Sequence, residues 1–351
     1  MKKIFFLILL LIVPDLFPQG LTPKDWGLKE FHIDNEQLGH IDYYVTEKGI
    51  DQAKPLLFMV SGTRGLPIML VVRTEEKSTQ LGTIPPDQIS YFAEKFHVAI
   101  MGKAGTPFCD TMTAEEINPI KNLEDYVPSK EYVQKSGMEW EVQASSLVIN
   151  ELCSLLPIEG NNVIALGISE GGRIVPRLAL ENSSISLLVC VISGGLNQFY
   201  SSIINRRIDA ASGKITHAEA QAEIDSLFAI YKEIYSDPHN TDKWYYGHPY
   251  QRWASFCNDI PLEHLVELDI PILFVNGTAD RSTPILQADY VLLEFIRLGK
   301  TNLTYHVLPG VEHSLYEIVK EDGKEKAISH RKEAFQMIID WIEANLNNTE
   351  N

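Results

Sequence analysis

Val163-Ile164-Ala165-Leu166-Gly167-Ile168-Ser169-Glu170-Gly171-Gly172 is an apolar run that ends in a G-x-S-x-G pentapeptide and opens into the helix-compatible stretch 173–179. Strand, sharp turn and helix in that succession are the sequence form of a nucleophile elbow. A serine hydroxyl is a poor nucleophile at neutral pH, so it needs exposure on a tight turn, a general base beside it and backbone donors for a developing oxyanion. The glycines two before and two after Ser169 fit that demand, because strand and helix approach so closely there that a Cβ would clash. Ser169 is therefore the candidate nucleophile. The pentapeptide alone is common; its flanks carry the reading.

Downstream, Pro271-Ile272-Leu273-Phe274-Val275-Asn276-Gly277-Thr278-Ala279-Asp280 is a short β-branched run that ends in turn residues and delivers a carboxylate at a strand's C-terminal end. Asp280 is the candidate acid, although aspartate is also a favoured cap for a helix starting near Pro284. After the alternating run 303–308, the chain turns at Pro309-Gly310 and presents Val311-Glu312-His313-Ser314. His313 is the candidate base. His306, inside a predicted strand, and His330, in a charged C-terminal helix, are its weaker rivals.

With Ser, Asp and His in this chain order, the sequence resembles the α/β-hydrolase superfamily over roughly residues 30–345. Its elbow and the stretch 277–284 are also similar to serine-aminopeptidase-like and prolyl-oligopeptidase-like branches. The resemblance implies a mainly parallel, doubly wound α/β sheet. It also implies an oxyanion hole from two backbone N–H groups: Glu170, just after the nucleophile, and Thr63, in Ser61-Gly62-Thr63-Arg64-Gly65 after the buried run 55–60. Many relatives have His-Gly where this chain has Ser61-Gly62, so the second donor is Thr63 or a residue one position away. The implied chemistry is acyl transfer to water without metal or organic cofactor. A carboxylic ester or related acyl compound is the first expectation for the substrate and a short peptide the second, with Glu170 and Glu312 available to receive an amino terminus. A hydrolase-fold protein that only binds its ligand is the third reading.

The remaining chain agrees with one large core plus an insertion. Its 351 residues are 45% hydrophobic and 22% charged, with a formal net charge of -17, which argues against nucleic acid or an anionic membrane as partner. Met1-Lys2-Lys3 followed by a ten-residue apolar run reads as a signal peptide over residues 1–20 and hence an exported protein. Residues 1–20 carry Lys2, Lys3 and Asp15, so the processed chain would stand near -18. No later stretch approaches transmembrane length, so stable membrane insertion is not expected. Cys109, Cys153, Cys190 and Cys257 have no metal-ligand spacing; a Cys109–Cys257 disulfide is one alternative in an exported protein.

Short apolar strands alternate with helices over 21–194 and resume over 269–351. A strand pair over 28–45, helices over 86–96 and 138–156, and strands over 97–101 and 185–193 are expected. The stretch 102–135 reads as an irregular surface loop near the mouth. From Ser169 to Asp280 there are 111 positions, too many for one crossover, so a helical lid is expected over 195–268. Within it Thr216 and Glu219 make a capping box, and Ile224, Leu227, Phe228, Tyr231, Ile234 and Tyr235 form an apolar stripe. The run Trp244-Tyr245-Tyr246-Gly247-His248-Pro249-Tyr250 with Trp253 and Phe256 is unusually aromatic. It reads equally as lid core or as a pocket wall for an apolar acyl group, with Trp244, Tyr246 and Trp253 as candidate wall residues.

Overall fold

The computed structural model describes residues 22–62, 64–84, 86–321 and 323–348, so the signal-peptide reading of 1–20 lies outside the described residues. The central sheet has eight strands: β1 (Leu28–Asn35), β2 (Gly39–Thr46), β3 (Lys54–Val60), β4 (His97–Met101), β5 (Ile158–Ile168), β6 (Ile185–Val191), β7 (Ile272–Gly277) and β8 (Leu303–Leu308). Their order is β1-β2-β4-β3-β5-β6-β7-β8. β2 runs antiparallel to both neighbours, and every pairing from β4 through β8 is parallel. Central strands such as β3 are buried along their whole length, which is why they read as unbroken apolar runs rather than as alternation.

Alternate side chains of these strands feed two cores. Leu56, Phe58, Ala165, Cys190 and Phe274 pack with helices α2 (Met138–Leu155), α3 (Gly171–Glu181) and α7 (Leu286–Leu298) on one face. Leu57, Met59, Ile164, Leu166, Val189 and Val275 pack with α1 (Pro86–Phe92) and α8 (Arg331–Asn348) on the other. A register slip of one residue would exchange the two sets, so both faces pin the pairing.

Two segments rise from the carboxyl ends of the strands. Between β6 and β7 lie α4 (Tyr200–Ala211), α5 (His217–Ser236) and α6 (Tyr250–Asn258). They share a core of Phe199, Tyr231, Ile234, Tyr250, Trp253, Ala254 and Cys257. Thr216 and Glu219 cap α5 reciprocally: Glu219 N–H donates to Thr216 Oγ1 at 3.1 Å and Thr216 N–H to Glu219 Oε2 at 2.8 Å. Ile224, Tyr231 and Ile234 of the expected stripe are buried, whereas Phe228 and Tyr235 are exposed.

The second segment corrects the expectation of an irregular loop over 102–135. Strand Cys109–Thr113 pairs in parallel with Met69–Arg73, which pairs antiparallel with Ser78–Gly82, and helices Pro119–Asp125 and Lys130–Lys135 follow. Leu66, Leu70, Val72, Leu81 and Leu123 give this small sheet its own core. The strand at 109 was hidden because Cys-Asp-Thr-Met-Thr has little apolar content. Cys257 is a free, buried thiol in the lid core, so no Cys109–Cys257 disulfide forms. A hairpin, Tyr316–Glu321 with Lys324–Ser329, precedes α8, and His330 lies one residue before that helix rather than inside it.

Candidate active site

Ser169 follows the last residue of β5 at φ 57°, in the left-handed region that a non-glycine residue occupies only when its surroundings hold it there. The holding is done by packing. A Cβ on Gly167 would overlap the backbone of Gly171, and one on Gly171 would overlap the Val60 carbonyl. The strand can therefore turn directly into α3, with Ser169 at the apex.

Ser169 Oγ lies 2.9 Å from His313 Nε2, and His313 Nδ1 lies 2.7 Å from Asp280 Oδ2. Asp280 is buried beyond the end of β7. Its Oδ1 accepts from the Ser282 and Thr283 N–H groups at 2.7 and 2.9 Å, and Oδ2 lies 2.6 Å from the Thr283 hydroxyl. Asp280 thus caps the following turn and orients the imidazole at once; the two readings of this residue are compatible. The rivals stand elsewhere. His306 is on edge strand β8, and His330 is held by Glu333 and Glu317.

The Glu170 N–H at the start of α3 enters no backbone hydrogen bond among the described residues. Opposite it runs Ser61-Gly62, so close that a Cβ on Gly62 would sit 3.4 Å from Ser169 Cβ. Thr63, the other expected donor, lies outside the described residues.

Beneath this loop is a buried ionic cluster that the sequence did not announce. Glu170, Glu141, Lys103 and Arg252 come from α3's entry, α2, the loop after β4 and lid helix α6, and all four are buried. Arg252 Nη2 donates to Glu170 Oε1. Lys103 Nζ lies 3.9 Å from Glu170 Oε1 and 4.0 Å from Glu141 Oε1, and donates to the Gly62 carbonyl at 2.6 Å. Burial alone would push the Glu170 carboxyl up, but Arg252 and then Lys103 hold it below its ordinary value. Glu141, with less compensation, is pushed up by burial. Each of these residues, read alone, looks like a solvated surface charge; only their convergence shows the cluster.

A cavity of about 180 Å³ opens over Ser169 and His313, on the scale of a roughly 150 Å³ cavity that takes one benzene. One wall is the lid, with Phe199, Tyr245, Tyr246, His248 and Trp253, and the other is the small sheet, with Arg64, Leu66, Leu81 and Leu123. Of the expected wall residues, Tyr246 and Trp253 border the cavity, whereas Trp244 does not and is 43% exposed. Trp244-Tyr245 and His248-Pro249 form a two-residue ladder closed by Tyr246 and Gly247, both at positive φ as a tight hairpin turn requires. Alternation along the ladder sends Trp244 outward and Tyr245 inward. Among the described residues no group of His, Cys, Asp and Glu could hold a metal ion, and no helix is long and apolar enough to cross a membrane.

No protein-family model and no curated protein matches the sequence. Solved structures do match. DcsB, solved with its substrate analogue, is similar over 91% of this chain and 99% of that one, at 14% identity and TM-score 0.53. Est1E from Butyrivibrio proteoclasticus is similar over 91% and 99%, at 12% identity and TM-score 0.50. An acylaminoacyl peptidase from Pyrococcus horikoshii is matched over 91% of this chain but only 41% of its own length, at 13% identity and TM-score 0.54. At these identities the likeness shows the fold, which is that of the α/β-hydrolases.

Proposed function

We propose that the protein is a serine hydrolase that cleaves a small carboxylic ester or related acyl compound through Ser169, His313 and Asp280. The observation that carries this reading is the continuous hydrogen-bonded path from Ser169 Oγ through His313 to Asp280 at the floor of a cavity. His313 Nε2 takes the hydroxyl proton as Ser169 Oγ bonds to the acyl carbon. The Glu170 N–H and the loop at Gly62 face the oxygen that gains charge. His313 then passes the proton to the departing alcohol, leaving an acyl-serine. Water, deprotonated by the same imidazole, attacks that carbonyl, and the acid leaves as the Ser169 hydroxyl is restored. Asp280 holds the imidazole tautomer throughout.

An ester fits better than the free amino terminus of a peptide. Glu170 is fully buried and tied to Arg252, and Glu312 does not line the cavity, so neither carboxylate stands ready for an ammonium group. The basic and apolar start supports an exported protein whose residues 195–268 act as the lid.

Fluorophosphonate labelling tests the proposal. The wild type should label and hydrolyse short nitrophenyl esters, and Ser169→Ala should abolish labelling and cut turnover by roughly a millionfold. Full labelling of the Ala variant would remove Ser169 from the mechanism, and a wild type that neither labels nor turns over any ester or aminoacyl nitroanilide would make the fold a binding module.

A further inference from the structure

The catalytic path makes no use of Arg64, and its setting is unusual. It stands at φ 95°, a conformation an L-residue rarely adopts. The next residue, Gly65, is pressed so closely on the Tyr132 ring that a Cβ there would overlap it. Half-buried on the small-sheet wall of the cavity, Arg64 makes no ion pair within 4.0 Å among the described residues. The buried cations Lys103, Arg252 and Arg173 are all matched. Lys103 and Arg252 face Glu170 and Glu141, and Arg173 donates to the Leu196 carbonyl and to Gln287 Oε1. Arg64 thus lines this cavity without a close ion-pair partner among the described residues, attracted by the Glu124 carboxylate, in a chain whose net charge is -17.

A second, independent group points the same way. His248 borders the cavity, is 2% exposed, and its Nδ1 has no hydrogen-bond partner. Buried polar atoms are normally satisfied, so an unpartnered imidazole on a residue that lines a cavity is a candidate donor to a ligand atom. Burial, and then the charges of Arg252, Lys103 and Arg64, hold the His248 imidazole well below its ordinary pKa. It stays uncharged and has an N–H to donate.

We propose that the cavity is built for an acyl substrate that carries a carboxylate, which pairs with the Arg64 guanidinium and accepts a hydrogen bond from the His248 imidazole while the scissile carbonyl lies against Ser169. The inference rests on the serine-hydrolase reading and adds the substrate's charge to it. A planar guanidinium bonds a carboxylate with two parallel N–H donors, and a site built this way disfavours the uncharged analogue, which leaves those donors unpaired.

Two pairs of esters matched in length test it, one for each place the charge can sit: 4-nitrophenyl hemiglutarate against 4-nitrophenyl pentanoate, and 4-carboxyphenyl butyrate against phenyl butyrate. In at least one pair the anionic ester should exceed its neutral twin in kcat/KM by about tenfold or more at low salt, with an advantage that shrinks as salt rises. Arg64→Gln should lower that ratio by roughly 10- to 100-fold, Arg64→Lys should keep part of it, and Arg64→Glu should turn the preference toward a 5-aminopentanoyl ester. Fluorophosphonate labelling of each preparation reports whether Ser169 is competent. A wild type that labels, hydrolyses neutral esters and shows no anionic preference in either pair overturns the inference and leaves the hydrolase reading standing. So does an Arg64→Gln variant that labels normally with an unmoved ratio. Absence of both labelling and turnover in the wild type removes the hydrolase reading and this inference together. If Arg64→Gln fails to fold, the wild-type ratios, their salt dependence and Arg64→Lys decide.

Discussion

Replacing Lys103 by methionine separates two jobs that one ammonium group performs. The first is electrostatic. Lys103 is the cation nearest Glu141, at 4.0 Å, and Arg252 is already engaged by Glu170. Two unit charges at that distance interact by about 4 kcal/mol at an effective dielectric of roughly 20, and breaking a buried pair typically costs about 3–5 kcal/mol. Lys103→Met should therefore lose about 3–4 kcal/mol of stability at pH 8. Burial already pushes the Glu141 carboxyl up in the wild type, and loss of Lys103 pushes it further. A carboxyl whose folded pKa lies above its unfolded one binds more protons folded than unfolded, so the variant's deficit should shrink as pH falls toward 5. Lys103→Met/Glu141→Gln should recover most of the loss at pH 8.

The second job is positional: Lys103 Nζ holds the Gly62 carbonyl at 2.6 Å and so fixes the loop that faces Ser169. Glu141→Gln restores charge balance but not this bond. The double variant should therefore regain stability while kcat stays down by roughly 100-fold, the scale of a misplaced reacting group. Urea unfolding of wild type, both single variants and the double variant at pH 5.5 and 8, with kcat and KM on a short ester, closes the cycle. A single variant within about 0.5 kcal/mol of wild type at pH 8, or recovery of kcat in step with stability, would refute the reasoning.

Asp280→Asn should lower kcat by about ten-thousandfold through the wrong imidazole tautomer, and His313→Ala should be nearly inactive; an active His313→Ala beside an inactive His306→Ala would move the base to β8. Tyr245→Ala, Tyr246→Ala and Trp253→Ala should shift the preference among acetyl, butyryl and octanoyl esters by roughly 10- to 200-fold, whereas the outward Trp244→Ala should leave it flat; equal shifts in all four variants would reject the wall. His248 is held well below its ordinary 6.5 by burial and three nearby cations, so the unfolded chain binds a proton that the folded chain refuses. Its contribution to stability is complete above about pH 6.5 and is lost below it, with a slope approaching 1.4 kcal/mol per pH unit. His248→Asn should flatten the fall in Tm between pH 6.5 and 5, and an unchanged slope would show that His248 is not the group responsible. The exposed His40 and the half-buried His330, raised by their carboxylate partners, act in the opposite sense and are largely screened by solvent.

The sheet was legible because buried parallel strands leave unbroken apolar runs that end in turn residues. Those ends are where Ser169, Asp280 and the turn before His313 sit. The short strands of the second wall were not legible, since Cys109–Thr113 offers only a half-buried cysteine and methionine among exposed polar residues. Nor was the inward turn of Tyr245: an aromatic run announces burial, but a two-residue ladder decides which ring faces in. The ionic cluster escaped for a more general reason. Lys103, Glu141, Glu170 and Arg252 are far apart in the chain, and a charge read singly belongs in water. Only topology, which brings four separate elements beneath one loop, turns them into a buried set.

That cluster also decides what kind of lid this is. Arg252 belongs to α6, yet it is 1% exposed and its bond runs down to Glu170, the residue after Ser169. Its guanidinium also lies 4.5 Å from the centre of the Phe256 ring. Lifting α6 would separate a buried ion pair and strand the Glu170 carboxylate, at a cost of several kcal/mol. Flaps that open on each turnover are drawn from the low-stability end of a structure, and α6 does not qualify. The lid is a fixed wall riveted to the elbow. A substrate of the proposed hydrolase would then enter along the seam between lid and small sheet, where Tyr246 borders the cavity and is 53% exposed. Arg64 stands on the opposite side of that same cavity, on the small-sheet wall. If the cavity takes the carboxylate-bearing acyl group proposed above, the Arg64 charge would steer its entry as well as hold it once bound.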